Sequence, residues 1–191
     1  MYKPKELAML KKESTGLIVV DIQGQLTRLV HDSDALVSKC EKLIKGVQAL
    51  ELPILWLEQN PEKIGPTVEE LSILLSSPTS HQEPIIKYTF DGCENDQFID
   101  AVKATNVDTW IVCGIEAHIC VYQTAISLKR MGFKVQIAAD CVSSRELENK
   151  TLAINKLVNN GVELTGLEMC LFELVKDCRV PVFKEILALI K

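Results

Sequence analysis

Short apolar runs alternate along the chain with longer segments in which apolar residues recur every three or four positions. Short runs bounded by charged residues, glycine or proline are typical of strands buried on both faces, and the periodic segments are typical of helices packed on one face. The pattern predicts strands at residues 17–21, 54–57, 84–87, 108–114, 134–139 and 162–165. It predicts helices at residues 34–50, 67–75, 95–105, 118–131 and 145–159, and a helical remainder broken at Pro181.

This alternation of strands and helices predicts a three-layer α/β/α domain with a mainly parallel sheet. The pairs Asn60-Pro61 and Gly65-Pro66 predict a loop over residues 58–66, and a Ser/Pro/Thr-rich stretch predicts a second loop over residues 76–83. No internal repeat or low-complexity segment is present, and 191 residues are enough for one sizeable domain. We therefore expect a single domain over residues 1–191.

Composition narrows the class of partner. The net charge is −5, and acidic and basic residues are interspersed without a basic run, which argues against nucleic acid or an anionic membrane surface as the main partner. No stretch approaches the ~18 consecutive apolar residues of a membrane-spanning helix. Residues 1–13 are rich in charged residues and lack the apolar core of a signal peptide.

The seven cysteines are an odd number and include no C-x-x-C pair, so they do not predict a disulfide framework. Most of them lie inside apolar patterns and are expected to be buried thiols: Cys40, Cys113, Cys141, Cys170 and Cys178. This usage predicts the reducing cytoplasm as the compartment.

Three residues of different chemistry fall at the carboxyl ends of the predicted strands, where parallel sheets bind ligands. Asp21 ends the first strand, Lys87 ends the third, and Cys120 lies in the first turn of the helix after the fourth. A helix N-terminus favours a thiolate, and a thiol so placed can have its pKa lowered from ~8.5 to about 3.5–7.5. The sequence thus predicts a carboxylate, an ammonium group and an activated thiol at one edge of the sheet.

These three groups suit nucleophilic acyl chemistry. A carboxylate can take the thiol proton and later give it to a leaving amine, and turn N–H groups before Cys120 can bind the oxyanion. Taken singly, each residue has an ordinary structural interpretation: an aspartate capping a turn, a solvated lysine and a core cysteine. Their coincidence at one sheet edge favours function.

The segments V-V-D-I-Q (19–23), I-I-K-Y-T-F (85–90), G-I-E-A-H-I-C-V (114–121) and A-A-D-C-V-S-S-R (138–145) resemble the isochorismatase-like cysteine hydrolases over nearly the whole chain. The resemblance implies a six-stranded parallel, Rossmann-like sheet and a catalytic triad of Asp21, Lys87 and Cys120. It also implies a non-proline cis peptide between Ile115 and Glu116, in an oxyanion turn that continues through Ala117.

Departures from the family pattern narrow the subfamily. Nicotinamidases of this family carry metal-binding histidines after the second strand, where this chain reads W-L-E-Q-N-P-E-K-I-G. The histidines, His31, His81 and His118, are scattered, so we expect neither a metal site nor a cofactor. Isochorismatases themselves lack the nucleophilic cysteine, so Cys120 favours hydrolysis of a C–N, amide-type bond through a thioester. The segment at residues 58–71 is similar to members whose substrates are mostly unassigned.

Other residues near the strand ends are candidates for substrate binding. They are Gln23, Trp56, Gln59, Asn60, Phe90, His118 and Tyr122. His118, two positions before Cys120, is expected to face away from it and to pack, cap or line the pocket. Glu116 is a possible second acid, but its backbone is expected to matter more than its carboxylate.

A cysteine phosphatase is excluded because it needs an arginine six positions after the cysteine, and position 126 is isoleucine. The remaining alternative is a non-catalytic binding or scaffold protein, or a thiol sensor, that keeps the hydrolase fold. The sequence favours a hydrolase acting on a small molecule. Members of the family commonly assemble, so we expect a homo-oligomer, for which the apolar segment 180–190 offers contact surface.

Overall fold

The computed structural model describes residues 9–76 and 83–191. Within these residues six parallel strands form one sheet in the order β3-β2-β1-β4-β5-β6, which confirms the predicted fold class. The strands are β1 (Thr15–Val20), β2 (Ile54–Gln59), β3 (Ile85–Lys87), β4 (Thr109–Ile115), β5 (Lys134–Ser143) and β6 (Glu163–Thr165). The two central strands, β1 and β4, pair from Thr15 opposite Thr109 to Val20 opposite Gly114.

Helices connect the strands and cover both faces of the sheet. They are α1 (Gly24–Leu29), α2 (Ser33–Ala49), α3 (Pro61–Ile64), α4 (Glu69–Leu75), α5 (Asp96–Ala104), α6 (Tyr122–Arg130), α7 (Leu147–Asn159), α8 (Leu167–Val175) and α9 (Phe183–Ile190). Single 3₁₀ turns occupy Lys12–Ser14 and Gly92–Glu94, and a π-type turn occupies Ala117–Val121.

Apolar side chains on both faces of the central strands hold the three layers together. All residues of β1 and β4 are buried. Leu17 and Val19 pack with α2, α4, α8 and α9 on one face, and Ile18 and Val20 pack with α5, α6 and α7 on the other. Since burying each such side chain is worth about 1.5–3 kcal/mol, the two apolar layers fix the strand order and thereby the ends of the strands.

Several element boundaries differ from the prediction. Residues 58–66 are not wholly a loop, because β2 continues to Gln59 and Pro61 begins the short helix α3, where its missing N–H costs nothing. Strand β5 runs past residue 139 to Ser143 after a register shift against β4. Helix α1 was not predicted. Residues 1–8 and most of the predicted loop 76–83 lie outside the described residues.

The C-terminal segment packs largely within the chain instead of offering a free surface. Ile186 of α9 is fully buried, and most apolar residues around it pack partly buried against the layer that contains α2 and α8. The ring of Phe183 meets that of Phe172 edge to face at 6.0 Å. The predicted contact surface at residues 180–190 is therefore mostly used by the fold itself.

All seven cysteines are free thiols. Cys40, Cys113, Cys141 and Cys170 are buried as predicted, but Cys178 is exposed because it lies in the connection between α8 and α9, outside the apolar layer. Over residues 9–76 and 83–191, no helix combines the length and the apolar character that crossing a membrane requires.

Candidate active site

The ends of β1 and β3 bring Asp21 and Lys87 into direct contact. Asp21 follows β1 directly and has a left-handed backbone, with φ of 50°. Lys87 is the last residue of β3, and its Nζ lies 2.7 Å from Asp21 Oδ2. The Asp21 side chain is 2% exposed and the Lys87 side chain is fully buried, so water does not screen this pair.

The buried ammonium group of Lys87 has three acceptors, which match its three N–H donors. Besides Asp21, it donates to Gln59 Oε1 at 2.8 Å and to the carbonyl of Thr89 at 3.3 Å. The second carboxylate oxygen of Asp21, Oδ1, is buried and has no hydrogen-bond partner among the described residues. One oxygen of the carboxylate therefore holds the lysine while the other remains able to accept a proton.

Cys120 lies in the π-type turn after β4, is 7% exposed, and interacts electrostatically with both members of the pair. Burial raises the pKa of Cys120 to about 12; the Asp21 carboxylate adds to the rise and the Lys87 ammonium opposes it. The prediction of a lowered thiol pKa is therefore wrong. The helix terminus and one ammonium group do not compensate for loss of water and for a neighbouring carboxylate, so the resting thiol is protonated at neutral pH.

The pKa of the Asp21 carboxyl is raised above its usual value, chiefly by burial. Lys87 and the Cys120 thiol lower it, and the negative charge of Glu58 on β2 raises it further. A carboxylate with a raised pKa is a stronger base than an ordinary aspartate. Asp21 is thus equipped to accept a proton from a neighbouring thiol.

The turn that carries Cys120 begins with a close approach between the two central strands. Gly114 has φ of +126°, and a Cβ there would lie 2.0 Å from the carbonyl oxygen of Val20. The peptide bond between Ile115 and Glu116 is cis, as predicted. The carbonyl of Glu116 then accepts from the N–H groups of Ile119 at 3.0 Å and Val121 at 3.3 Å, on either side of Cys120.

The side chains of Glu116 and His118 form hydrogen bonds with the loop between β5 and α7 and not with Cys120. Oε1 of the buried Glu116 carboxylate accepts from the backbone N–H of Arg145 at 3.0 Å and from its Nε–H at 3.1 Å. Nδ1 of His118 is 3.0 Å from the hydroxyl oxygen of Ser144. Sequence reasoning did not single out Ser144 and Arg145, although they end the motif A-A-D-C-V-S-S-R.

Of the remaining candidates, Gln59 is brought to the site by its bond to Lys87, and Gln23 supports the same loop. Gln23 is fully buried, accepts from the N–H of Gln59 at 2.6 Å, and donates to the carbonyls of Gln59 and Gly65 at 3.2 and 2.7 Å. The N–H of Asn60 donates to the carbonyl of Lys87 at 2.9 Å. Gln23 and Asn60 therefore shape the wall that holds Lys87.

The three aromatic candidates differ in exposure. Trp56 is buried, and its indole N–H donates to the hydroxyl of Thr67 at 2.7 Å. Phe90 is 55% exposed, and Tyr122 is partly buried with the ammonium group of Lys156 4.9 Å from its ring centroid. Trp56 thus belongs to the core, whereas Phe90 and Tyr122 have surface available. Across the described residues, no group of three or more His, Cys, Asp or Glu side chains is arranged to hold a metal ion, and His81 lies outside them.

Comparison with known proteins places the chain in a family. The isochorismatase domain model matches residues 15–169. The mouse isochorismatase domain-containing protein 2B is 31% identical over 97% of this chain and 85% of its own length. The isochorismatase family protein 1A of Dictyostelium discoideum is 28% identical over 97% of this chain and 90% of its own length.

Solved structures agree with this assignment. The structure named MAR1 ribonuclease from Caenorhabditis elegans is 30% identical, with a TM-score of 0.89 over 96% of this chain and 92% of that one. The YcaC protein of Escherichia coli, described as an octameric hydrolase of unknown specificity, shares the fold at 23% identity, with a TM-score of 0.89 over 98% of this chain and 92% of that one. The chain therefore belongs to the isochorismatase family and has its hydrolase fold.

Proposed function

We propose that this protein is a cysteine-dependent hydrolase that cleaves a C–N, amide-type bond in a small molecule, with Asp21, Lys87 and Cys120 as its triad. The observation that carries the proposal is the buried Lys87–Asp21 pair at 2.7 Å, with both charges acting on the Cys120 thiol, whose pKa is raised chiefly by burial. Cys120 is 7% exposed, which favours a small substrate over a polymer.

The reaction begins with transfer of the thiol proton to Asp21. Because the resting thiol is protonated, the proton moves as the sulfur attacks the substrate carbonyl carbon. The raised pKa of the Asp21 carboxyl favours this transfer. A C–S bond forms, and the electron pair of the C=O double bond moves to the oxygen.

The N–H groups of the π-type turn Ala117–Val121, apart from those of Ile119 and Val121, which donate to the Glu116 carbonyl, are proposed to bind the resulting oxyanion. The first N–H groups of a helix have no acceptor in a preceding turn, so they are available to a negative oxygen. The cis peptide between Ile115 and Glu116 leads directly into this turn. Removing one such donor in comparable sites costs about 10²–10³ in kcat.

Collapse of the tetrahedral intermediate breaks the C–N bond, and the protonated Asp21 gives its proton to the departing nitrogen. The products of this step are an amine or ammonia and a thioester on Cys120. Asp21, again a carboxylate, takes a proton from water as the water oxygen attacks the thioester. Loss of the sulfur, which regains its proton from Asp21, releases the carboxylic acid.

Lys87 is proposed to hold Asp21 in place and to stabilise the negative charge that passes between oxygen and sulfur. Its three hydrogen bonds, to Asp21, Gln59 and Thr89, leave it a fixed position. A buried, fully bonded ammonium group supplies charge without the need to reorganise during the reaction.

The alternatives find less support in the site. A thiol sensor needs a thiolate at neutral pH, whereas burial raises the pKa of Cys120 to about 12. The Caenorhabditis elegans relative is named a ribonuclease. A phosphodiester would bring its negative charge next to the Asp21 carboxylate, and the chain has a net charge of −5, so we propose no nucleic-acid substrate.

The compartment and the assembly state of the protein are also proposals. Seven free thiols support a reducing, cytoplasmic compartment. The description of the Escherichia coli YcaC protein as octameric supports assembly of this chain into a homo-oligomer. The chemistry proposed for the triad needs no metal or cofactor.

The test is turnover by the wild-type protein and by Cys120→Ala, assayed on small primary amides, on N-carbamoyl compounds and on an RNA oligonucleotide. We expect release of ammonia or amine by the wild type only, and an acyl adduct on Cys120 that mass spectrometry detects after acid quenching. Hydrolysis that survives Cys120→Ala would overturn the thioester route. Cleavage of the RNA without release of amine from any amide would replace the proposed substrate class.

A further inference from the structure

Two residues of the turn around Cys120 are tied to the loop between β5 and α7. Glu116 bonds to Arg145 and His118 bonds to Ser144. We call these four residues the turn clamp. The proposed chemistry assigns the side chains of the turn clamp no role.

The Glu116 carboxylate is the buried member of the turn clamp. Its side chain is 5% exposed, whereas the Arg145 side chain is 56% exposed. Oε1 of Glu116 receives the backbone N–H of Arg145 at 3.0 Å and the Nε–H at 3.1 Å. Hydrogen bonds to a charged, buried group are stronger than neutral ones. The carboxylate therefore fixes both the backbone and the side chain of the loop.

The loop is in turn anchored to a third segment. The hydroxyl of Ser143 donates to the carbonyl of His31 at 2.7 Å, and the N–H of His31 donates to the carbonyl of Ser144 at 2.9 Å. His31 lies between α1 and α2. The loop is thus anchored to the connection between α1 and α2. A bond from Glu116 to this anchored loop therefore restrains the turn as well as the loop.

Glu116 also acts on the turn through its backbone. Its carbonyl accepts from the N–H groups of Ile119 and Val121, which flank Cys120. Glu116 is therefore fixed by its side chain and fixes the turn by its carbonyl. In this way it sets the positions of the thiol and of the turn N–H groups. Misplacement of reacting groups by about 1 Å can cost ~10²-fold in rate.

We propose that Glu116 is a positioning residue of this site, which locks the Cys120 turn against the loop between β5 and α7 through Arg145. The proposal rests on the proposed function for its catalytic consequence. Its structural part, the restraint of the turn, stands independently of any substrate. The assignment gives Glu116 no proton transfer; its Oε1 accepts both bonds from Arg145.

The experiment compares Glu116→Ala and Glu116→Gln with the wild-type protein. Glu116→Gln keeps an oxygen acceptor for Arg145, and Glu116→Ala removes it. The matched control is Glu173→Ala, because Glu173 Oε1 also accepts a backbone N–H, that of Leu10 at 2.8 Å, away from the strand ends. From the loop side, Arg145→Ala removes the Nε–H donor and keeps the backbone N–H bond to Glu116, whereas Ser144→Ala removes the partner of His118; both variants serve if Glu116→Ala does not fold.

The first readout is amide hydrogen exchange of the peptide spanning residues 116–122. We expect exchange about tenfold faster in Glu116→Ala, close to the wild-type rate in Glu116→Gln, and unchanged in Glu173→Ala. Arg145→Ala and Ser144→Ala should also accelerate it. Equal exchange in Glu116→Ala and wild type, or equal acceleration in Glu173→Ala, would overturn the proposal.

The second readout is turnover of acetamide, propionamide and benzamide, measured as ammonia release. We expect kcat to fall about tenfold or more in Glu116→Ala while KM changes less than about twofold, with recovery in Glu116→Gln. Faster exchange with an unchanged kcat would overturn the catalytic part. A wild-type protein that hydrolyses none of these amides would count against the proposed function, and the exchange rates would still decide whether Glu116 restrains the turn.

Discussion

Nζ of Lys87 and Oδ2 of Asp21 lie 2.7 Å apart, and both side chains are buried. The lysine comes from the edge strand β3 and the aspartate from the central strand β1, so the contact reaches past the end of β2. The pair leaves one carboxylate oxygen without a partner among the described residues and places both charges against the Cys120 thiol. This contact governs the stability, the pH dependence and the thiol reactivity expected of the protein.

Replacement of Lys87 by methionine should destabilise the fold strongly, because it leaves the Asp21 carboxylate buried without a counterion. Breaking a buried pair in this way costs about 3–5 kcal/mol. Urea denaturation measures the change in the free energy of unfolding. In the control, Lys134→Met, the lost ion pair with Asp108 is 3.9 Å long and about 60% exposed on both sides, so the cost should be ~0–1 kcal/mol. Similar costs for the two variants would contradict the burial of the Asp21–Lys87 pair.

The rate should fall at acidic pH with a midpoint above the ordinary aspartate pKa of 3.8, because the proposed base must be ionised and burial raises the pKa of Asp21. Glu58→Gln should move this midpoint to lower pH, since the Glu58 charge raises the same pKa. The pH profile of kcat/KM tests both statements. If Asp21→Glu leaves this midpoint unchanged, the fall in rate at acidic pH belongs to another group.

The same shift has a consequence for folding. The folded protein binds the Asp21 proton more tightly than the unfolded chain does, so the contribution of this group to stability is fully present below its unfolded pKa. It is lost as the pH rises through the higher folded value. In Asp21→Asn the corresponding part of the pH dependence of the free energy of unfolding should disappear.

Cys120 should react slowly with iodoacetamide at neutral pH in the absence of substrate, because burial and Asp21 raise its pKa to about 12. Asp21→Asn should lower the pKa of the thiol, since the carboxylate charge is removed, and Lys87→Met should raise it. Rates are read by mass spectrometry of the labelled peptides, with exposed Cys178 as the internal reference. A Cys120 pKa below the ~8.5 of a free thiol would contradict the statement that the resting thiol is protonated.

Gly114→Ala should unfold the protein or cost more than about 4 kcal/mol, because the new Cβ would lie 2.0 Å from the carbonyl oxygen of Val20. The matched control is Gly132→Ala, where φ is also positive, at +99°, but nothing lies within 4 Å of the added carbon. The control should cost only the ~1 kcal/mol of backbone strain. Thermal melting of the two variants separates the clash from the strain.

Gln59→Ala should lower kcat about tenfold without a large loss of stability, because it removes one of the three acceptors of the Lys87 ammonium group. Exposed Gln25, on α1, provides the control in Gln25→Ala. Equal activity of both variants would mean that Asp21 and Thr89 suffice to place the lysine.

The sequence predicted the fold because apolar runs and helical periods reflect burial directly. The convergence of Asp21 and Lys87 followed from one geometric rule, that parallel strands end at a common edge. The thiol pKa could not be predicted in this way: it depends on how much water reaches Cys120, which only the packed loops decide. The turn clamp was not predicted for a similar reason, because the spacing of Glu116 and Arg145 in the sequence does not indicate that they form hydrogen bonds.

The helix at Pro61–Ile64 and the exposure of Cys178 also lay beyond periodicity. Proline pairs mark a change of direction but do not separate a loop from a single helical turn that begins with proline. Cys178 was predicted to be buried, but Asp177 and Arg179 flank it in the sequence, and the chain has left the packed layer between α8 and α9 before reaching it.

The proposed triad is divided unequally over the sheet. Asp21 and Cys120 are anchored at the ends of the two central strands, whereas Lys87 is carried by a three-residue strand at the margin. Sheet margins open by local fluctuations of lower free energy than the centre does. Mild denaturant should therefore detach the lysine while the acid and the thiol keep their places, and the protein would lose catalytic competence well before its sheet melts.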